Sequence, residues 1–164
     1  MRKLARLAGW GWLGAALLLG GGMARAQFVA GHTAEIYPDP AAARTEIAQA
    51  LRTARAEHKN VILDFGGNWC GDCKVLNIYF HQEPNLSLLD RNFVLVDVNI
   101  GHMDANTDIA EHYEIPLHKG VPALAVLDEH GKLLYSQKGG EFESMRHMDP
   151  SSVTEFLNQW KPRR

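Results

Sequence analysis

Two cysteines, Cys70 and Cys73, stand three residues apart, directly after a short apolar segment of this chain. The segment, residues 61–65, contains a single acid, Asp64, and is followed by two glycines, a pattern typical of a strand buried on both faces of a sheet. A disulfide across such a short spacing closes a very small ring, which restricts the unfolded chain far less than a long loop would. We therefore expect the pair to serve reversible redox chemistry rather than to join distant segments.

A helix is predicted to follow the first cysteine, so that Cys70 would lie at the N-terminus of that helix. Unpaired backbone N–H groups and the helix dipole stabilise an anion there, and they can lower a cysteine pKa from about 8.5 to between roughly 3.5 and 7.5. Because the thiolate is the attacking species, Cys70 is predicted to be the nucleophile and Cys73, one turn deeper, the resolving cysteine. The alternatives are an inert pair or a zinc site, but zinc needs two more ligands and the chain has no second cysteine pair.

The rest of the chain alternates between helical and strand patterns. Helices are predicted over residues 41–58, 73–80, 86–90 and 104–113 and from residues 149–152 onward, and strands over residues 61–65, 93–98, 121–127 and 133–136. The last two strands are joined by a short glycine-containing turn and are expected to form an antiparallel hairpin. This order predicts an α/β fold, with a mixed central sheet and helices on both faces.

The first 26 residues differ from the rest of the sequence. A basic start, an apolar stretch over residues 13–22 and a small-x-small site ending at Ala26 are the three parts of a secretory signal peptide. We expect cleavage there, an N-terminal arm over residues 27–40 and one domain over residues 41–164; an uncleaved membrane anchor is the alternative. Losing the four basic residues of this segment lowers the formal net charge from −2 to −6. The sequence predicts a periplasmic or otherwise exported soluble protein, without stable membrane insertion after cleavage and without a nucleic-acid partner.

Two separated motifs resemble the thioredoxin superfamily. Residues 64–74, DFGGNWCGDCK, resemble the active-site segment of thioredoxins, and residues 120–123, GVPA, resemble the loop whose proline is cis in that superfamily. An aromatic residue at Phe80 and an acid before proline at Glu83 make the chain similar to the C-terminal thioredoxin-like domain of periplasmic disulfide reductases of the DsbD type. The similarity covers residues 41–160 and implies a thioredoxin-like fold with thiol-disulfide oxidoreductase activity.

The resemblance also implies roles for individual residues. Asp64 corresponds to the buried acid that assists deprotonation of the second cysteine, and burial should raise its pKa. Pro122, if cis, would place the backbone edge of Val121 beside Cys70, where a substrate strand can pair with it. Substrate contacts are further implied for Trp69, Gly71 and Asp72. The alternatives are that Asp64 caps a backbone group, that Pro122 is an ordinary trans loop proline and that Trp69 only packs.

The chain departs from thioredoxins at two acidic positions and in two loops. Asp72 stands where many thioredoxins have proline, and its charge is expected to disfavour a neighbouring thiolate, which favours a reductant. Asp97 stands where thioredoxins carry a lysine facing the buried acid, so it either couples with Asp64 or turns toward solvent. The loops over residues 113–121 and 139–148 are longer than in thioredoxins, and both are expected to border the active site.

These observations predict an enzyme that reduces protein disulfides by dithiol-disulfide exchange. No cofactor is expected, and a membrane protein of the DsbD type is the expected electron donor. A disulfide oxidase or isomerase is the alternative within the same chemistry. A copper-binding thioredoxin-like chaperone is an alternative of another class, because His102, Met103, His147 and Met148 offer imidazole and thioether groups. These residues form no clear ligand set on one element, so no metal site is predicted.

Overall fold

The structure, a computed structural model, describes residues 35–163 of the chain. The predicted signal peptide, residues 1–26, and the arm as far as residue 34 lie outside the described residues. The helices are α1 (Ala43–Glu57), α2 (Gly71–Phe80), α3 (Asn85–Asn92), α4 (Thr107–His112) and α5 (Ser151–Trp160), and the strands are β1 (Asn60–Gly66), β2 (Phe93–Asn99), β3 (Ala123–Leu127) and β4 (Leu133–Ser136). Short 3-10 turns occur at Pro40–Ala42, Leu117–Lys119 and Met145–His147.

The four strands form one mixed sheet in the order β2-β1-β3-β4. β1 pairs in parallel with β2, with Asp64 opposite Asp97, and it pairs antiparallel with β3. β3 and β4 form the antiparallel hairpin that the turn between them predicts. Every residue of β1 is buried, because this strand has a neighbour on each side and helices above and below. The apolar sequence around Asp64 follows from that position.

Helices cover both faces of the sheet. α1 and α4 pack on one face against strand residues such as Leu63 and Val96, and α2, α3 and α5 pack on the other against residues such as Ile62 and Leu124. Side chains alternate between the faces along a strand, so Asp64 points to the face that carries α2. The predicted α/β class with its mixed sheet is confirmed, and it brings the acid of β1 to the side of the helix that follows Cys70.

Several element boundaries differ from the prediction, and two of these shifts fall in loops near the active site. β3 begins at Ala123 rather than at residue 121, because Pro122 has no N–H with which to enter the ladder. α4 begins at Thr107 rather than at residue 104, because residues 101–106 form turns in which Met103 and Asn106 have positive φ angles of 72° and 53°. The first shift lengthens the loop that passes Cys70, and the second lengthens the loop whose Gly101 carbonyl bonds to Trp69.

Candidate active site

Cys70 and Cys73 form a disulfide at the start of α2, with 5.3 Å between their Cα atoms. Cys70 is the N-cap of the helix, and its Sγ accepts a hydrogen bond from the Cys73 N–H at 3.1 Å. A helix N–H directed at the sulfur is the arrangement that stabilises a thiolate. Cys70 keeps 5% of its surface exposed while Cys73 is fully buried, so the pair meets solvent through Cys70.

The loop before β3 passes next to the outer sulfur. The Val121–Pro122 peptide bond is cis, as the resemblance implies, and the Val121 carbonyl oxygen lies 3.6 Å from Cys70 Sγ. The buried side chain of Gln137 donates to the Pro122 carbonyl at 3.2 Å and accepts from the Leu124 N–H at 3.2 Å. Gln137 therefore holds the loop before β3 in place from the end of β4. Sequence analysis missed it, because nothing in the polar stretch after β4 distinguishes it from a surface glutamine.

Asp64 is buried on the α2 side of β1, next to a second acid. Burial raises the pKa of Asp64 well above its usual range, the charge of Asp97 raises it further, and a hydrogen bond from Tyr37 acts in the opposite direction. Burial also raises the pKa of Asp97, to about 6, while His81 lowers it and Glu46 raises it. Of the two arrangements that the sequence leaves open for Asp97, the structure has the coupled one.

Tyr37 belongs to the same buried group, and sequence analysis missed it. Its ring packs against the cysteine pair and its hydroxyl donates to Asp64 Oδ2 at 2.9 Å. Burial, and next the charge of Asp64, raise the pKa of Tyr37 well above its usual value. The segment before α1 has no periodic pattern, and the only signal for this contact is an aromatic residue with Ile36 before it and Pro38 after it.

Trp69 lies exposed beside the cysteines. Its indole N–H donates to the Gly101 carbonyl at 2.5 Å, and its ring stacks on that of His102 with 6.0 Å between the centroids. The side chain nevertheless keeps 47% of its surface open. The indole is thus held in a fixed position while nearly half of it is free to contact another molecule.

Asp72 is paired with Arg146, a contact that the sequence does not indicate. Asp72 accepts from the Arg146 backbone N–H at 2.9 Å and from its Nε at 3.1 Å, and the guanidinium lies over Gly71. Burial favours a higher pKa for Asp72, but these bonds and the guanidinium charge outweigh it and hold the pKa below its usual value. Asp72 is therefore charged, but the Arg146 guanidinium offsets its charge. Its repulsion of a thiolate at Cys70 is smaller than the sequence alone predicts. The long loop over residues 139–148 does border the cysteines.

The predicted site residues converge where β1 ends and α2 begins. The group consists of Asp64, Trp69, Cys70, Gly71, Asp72, Cys73, Val121 and Pro122, and the structure adds Tyr37, Gln137 and Arg146. Within residues 35–163, no group of three or more His, Cys, Asp or Glu side chains is arranged to hold a metal ion. No helix in this part of the chain is long and apolar enough to cross a membrane.

A four-stranded mixed sheet with a disulfide at the helix that follows its central strand is the architecture of thioredoxin-fold proteins. The chain belongs to the thioredoxin-like family, whose model matches residues 42–129. It is 27% identical over 117 residues to the thiol:disulfide interchange protein DsbD of Pseudomonas fluorescens, which covers 70% of this chain and 18% of that protein. It is 39% identical over 72 residues to a thioredoxin of Mycoplasmoides gallisepticum, covering 44% of this chain and 62% of the relative. The chain thus spans less than two thirds of either relative.

Two solved structures are similar to this one. A disulphide isomerase from Xylella fastidiosa matches with a TM-score of 0.71 and 32% identity, covering 76% of this chain and 95% of the other. The C-terminal domain of DsbD from Neisseria meningitidis, in its oxidised form, matches with a TM-score of 0.53 and 20% identity, covering 76% of this chain and 98% of that domain. The second likeness supports the fold alone.

Proposed function

We propose that this chain is an exported thiol-disulfide oxidoreductase that reduces protein disulfides through Cys70 and Cys73. The observation that carries the proposal is the disulfide at the start of α2, in which the sulfur that meets solvent accepts a hydrogen bond from a helix N–H. Membership of the thioredoxin-like family and the likeness to DsbD of Pseudomonas fluorescens support this chemistry.

In the proposed reaction, the Cys70 thiolate attacks a substrate disulfide and forms a mixed disulfide with one of its sulfurs. The other substrate sulfur leaves with the electron pair of the broken S–S bond and takes up a proton. Cys73 then loses its proton and attacks Cys70, which restores the Cys70–Cys73 disulfide and releases the substrate as a dithiol. Two electrons pass to the substrate, so a dithiol donor must reduce the protein again. A membrane protein of the DsbD type is the proposed donor.

The surrounding residues have proposed roles in this exchange. Asp64 accepts the proton that Cys73 loses, since its raised pKa suits proton exchange with a thiol better than that of an ordinary carboxyl. The backbone at the half-buried Val121, before Pro122, pairs with an extended segment of the substrate protein next to Cys70. Trp69, Gly71 and Asp72 contact the substrate on the other side of the sulfur.

Export is a separate part of the proposal and has its own test. Residues 1–26 are proposed to be a signal peptide, which leaves the arm and the domain over residues 41–164 in the periplasm. N-terminal sequencing of the protein recovered from a periplasmic extract should find Gln27 first. An intact N-terminus recovered only from membranes would contradict cleavage and favour an anchor.

The redox equilibrium with glutathione tests the direction of exchange. A reductase should have a potential near that of thioredoxin, about −270 mV, and should reduce insulin catalytically when a dithiol donor is supplied. The Cys70→Ser, Cys73→Ser double variant is the matched control and should be inactive. A potential near about −120 mV would contradict the reductase direction, and insulin turnover by the double variant would contradict the cysteine mechanism.

Disulfide isomerisation is a second candidate function, favoured by the 32% identity to the disulphide isomerase from Xylella fastidiosa. An isomerase must reactivate a substrate whose disulfides are scrambled without any net transfer of electrons. The test incubates scrambled ribonuclease with the reduced protein and no other dithiol donor. An isomerase should restore ribonuclease activity under these conditions. A reductase should give fully reduced ribonuclease instead.

A further inference from the structure

The hydroxyl of Tyr37 lies near both the buried acid and the inner cysteine. It donates to Asp64 Oδ2 at 2.9 Å, and the phenol ring packs against Cys70 and Cys73. Gly66, at the end of β1, leaves the room for this arrangement. A Cβ atom there would lie 2.8 Å from Cys73 Sγ and would overlap the Tyr37 hydroxyl, so the sulfur and the hydroxyl face the same point of the strand.

The backbone of Tyr37 is fixed on both sides. Asn68, in the turn between β1 and α2, accepts from the Tyr37 N–H at 3.0 Å and donates to the Tyr37 carbonyl at 2.8 Å. Asn99 also donates to the carbonyl of Pro38 at 2.7 Å. Three hydrogen bonds therefore fix the position of this segment, which lies outside the sheet, relative to the active-site turn. An aromatic ring that only filled a gap would not need its backbone fixed in this way.

Asp64 has a single hydrogen-bond partner among the described residues. Tyr37 bonds to one carboxyl oxygen, and the other, Oδ1, is buried without a partner. Among these side chains, the Tyr37 hydroxyl is the one that bonds to Asp64, and it also lies near Cys73 Sγ. We propose that Tyr37 is a proton relay between Cys73 and Asp64 in the resolving step, an inference that rests on the proposed function.

Protons and electrons balance in the relayed step. The Cys73 S–H proton moves to the Tyr37 oxygen while the Tyr37 hydroxyl proton moves to the Asp64 carboxylate. The freed Cys73 electron pair forms the bond to Cys70 Sγ, and the Cys70–substrate bond breaks with its electron pair on the substrate sulfur. That sulfur takes a proton from solvent. Tyr37 ends neutral, as it began, and Asp64 ends protonated.

The pH dependence of this step depends on the charged groups that face the pair. Asp97 of β2 lies opposite Asp64, and its own titration is affected by Glu46 of α1 and His81 after α2. Asp64 points to the face of the sheet that carries α2, and Tyr37 of the N-terminal segment contacts it there. The relay works only while Asp64 is a carboxylate, so the rate of the resolving step should rise with pH as the Asp64–Asp97 pair ionises.

Single-turnover kinetics with a chromogenic disulfide test the relay. Reduced protein is mixed with 5,5′-dithiobis(2-nitrobenzoate), which releases one thionitrobenzoate when Cys70 attacks and a second when Cys73 resolves the mixed disulfide. Tyr37→Phe keeps the ring and removes the hydroxyl. We expect it to leave the first phase unchanged and to slow the second by about tenfold or more near pH 7, because positioned acid–base groups contribute about 10²–10⁴-fold. The deficit should shrink above about pH 9, where the thiol ionises without help.

Tyr79→Phe is the matched control, because it removes a phenol hydroxyl that donates to the Met148 carbonyl at 3.2 Å, outside the cysteine group. It should leave both phases as in the wild type. In the Asp64→Asn background, Tyr37→Phe should add no further slowing, since the relay has already lost its acceptor. A second phase in Tyr37→Phe that is unchanged, or slowed by the same factor at every pH, overturns the relay and indicates a packing role.

A second variant covers the case in which Tyr37→Phe does not fold. Ring-fluorinated tyrosine at position 37 keeps the shape and the hydrogen bond but lowers the phenol pKa. It should shift the pH profile of the second phase and leave the first phase in place, and an unshifted profile overturns the relay. If wild-type protein shows neither phase, the proposed function fails and the relay with it. If the wild type shows both phases and the Tyr37 variants behave like it, the relay alone fails.

Discussion

Asp64 and Asp97 lie opposite each other on β1 and β2, and the pKa of each is raised in the folded protein. An acid with a raised folded pKa keeps its proton at pH values at which the unfolded chain has lost it. Its contribution to stability is therefore fully present below the unfolded pKa, about 3.9. That contribution is lost as the pH rises through the folded pKa, which is about 6 for Asp97. The free energy of unfolding should fall across this window.

Asp97→Asn should remove this loss. We expect the substitution to raise the free energy of unfolding by about 1–2 kcal/mol near pH 8 and to leave it unchanged near pH 4, since one pKa unit corresponds to about 1.4 kcal/mol and partial exposure screens some of it. Urea unfolding at the two pH values measures the difference. Asp90→Asn, at an exposed position of α3, is the control and should have no such effect. Equal effects of Asp97→Asn at both pH values would contradict a raised pKa of Asp97 in the folded protein.

Arg146 offsets the charge of Asp72 next to the nucleophile, so its removal should expose Cys70 to an unpaired acid. We expect Arg146→Ala to raise the pKa of the Cys70 thiol in the reduced protein by about 0.5–1 unit, and Asp72→Asn to lower it. The thiolate absorbance in the ultraviolet, followed against pH, measures both. The double variant should lie near the wild type. If Arg146→Ala does not move this pKa, the pair acts only in holding the long loop onto α2.

The site residues that could be predicted from the sequence are those that a local motif marks. Cys70, Cys73 and Asp64 lie in one run of residues, and Pro122 lies in a second motif. Tyr37 and Arg146 could not be predicted, because their partners lie 27 and 74 residues away along the chain and no periodic pattern connects them. Contacts of this kind depend on the tertiary arrangement, which local pattern does not specify.

At the scale of elements, Gln137 connects the end of β4 to the loop that precedes β3. Replacing it by Ala leaves the Pro122 carbonyl and the Leu124 N–H without a partner in a buried place. We expect Gln137→Ala to lower the free energy of unfolding by about 1–3 kcal/mol, the usual cost of leaving buried polar groups unpaired. It should also raise the KM for insulin while leaving the reaction of Cys70 with a small disulfide unchanged.

The control for Gln137→Ala is Gln159→Ala, at an exposed position of α5. That variant should match the wild type in stability, in the KM for insulin and in the reaction with a small disulfide. A Gln137→Ala protein that loses stability but keeps the wild-type KM would show that the loop keeps its position for substrate without this brace. A loss of the small-disulfide reaction would instead indicate damage to the cysteines themselves.

The elements themselves could be predicted where pattern and burial coincide. β1 and β2 were identifiable as apolar runs, and the β3–β4 hairpin by its turn, because a sheet covered on both faces requires such segments. The first residues of β3 and α4 could not be predicted. Pro122 cannot donate to the ladder and Asn106 has a positive φ angle, so each element begins only after that residue. These two errors fall in loops near the active site, where backbone geometry rather than burial sets the conformation.

At the scale of the whole molecule, the proposed reductase direction predicts which redox form of the folded protein is the more stable. The same disulfide exists in the folded and the unfolded chain, so folding and reduction form a closed cycle. A strong oxidant has a high potential because its reduced folded form is stabilised, and for a two-electron couple 30 mV corresponds to about 1.4 kcal/mol. A reductant requires the opposite balance, in which folding favours the disulfide form.

We therefore expect the oxidised protein to have a higher free energy of unfolding than the reduced protein. Parallel urea titrations with and without excess dithiothreitol measure this difference, and the glutathione equilibrium measures the potential independently. The stability difference and the potential must agree through the cycle. A folded protein whose potential is about 60 mV lower than that of its unfolded chain should therefore be about 2.8 kcal/mol more stable in the oxidised form than in the reduced form. The Cys70→Ser, Cys73→Ser variant should unfold identically in both titrations. If the reduced form were the more stable of the two, the chain would be a disulfide oxidase. Its folded structure would then favour the dithiol form and the transfer of its disulfide to a substrate.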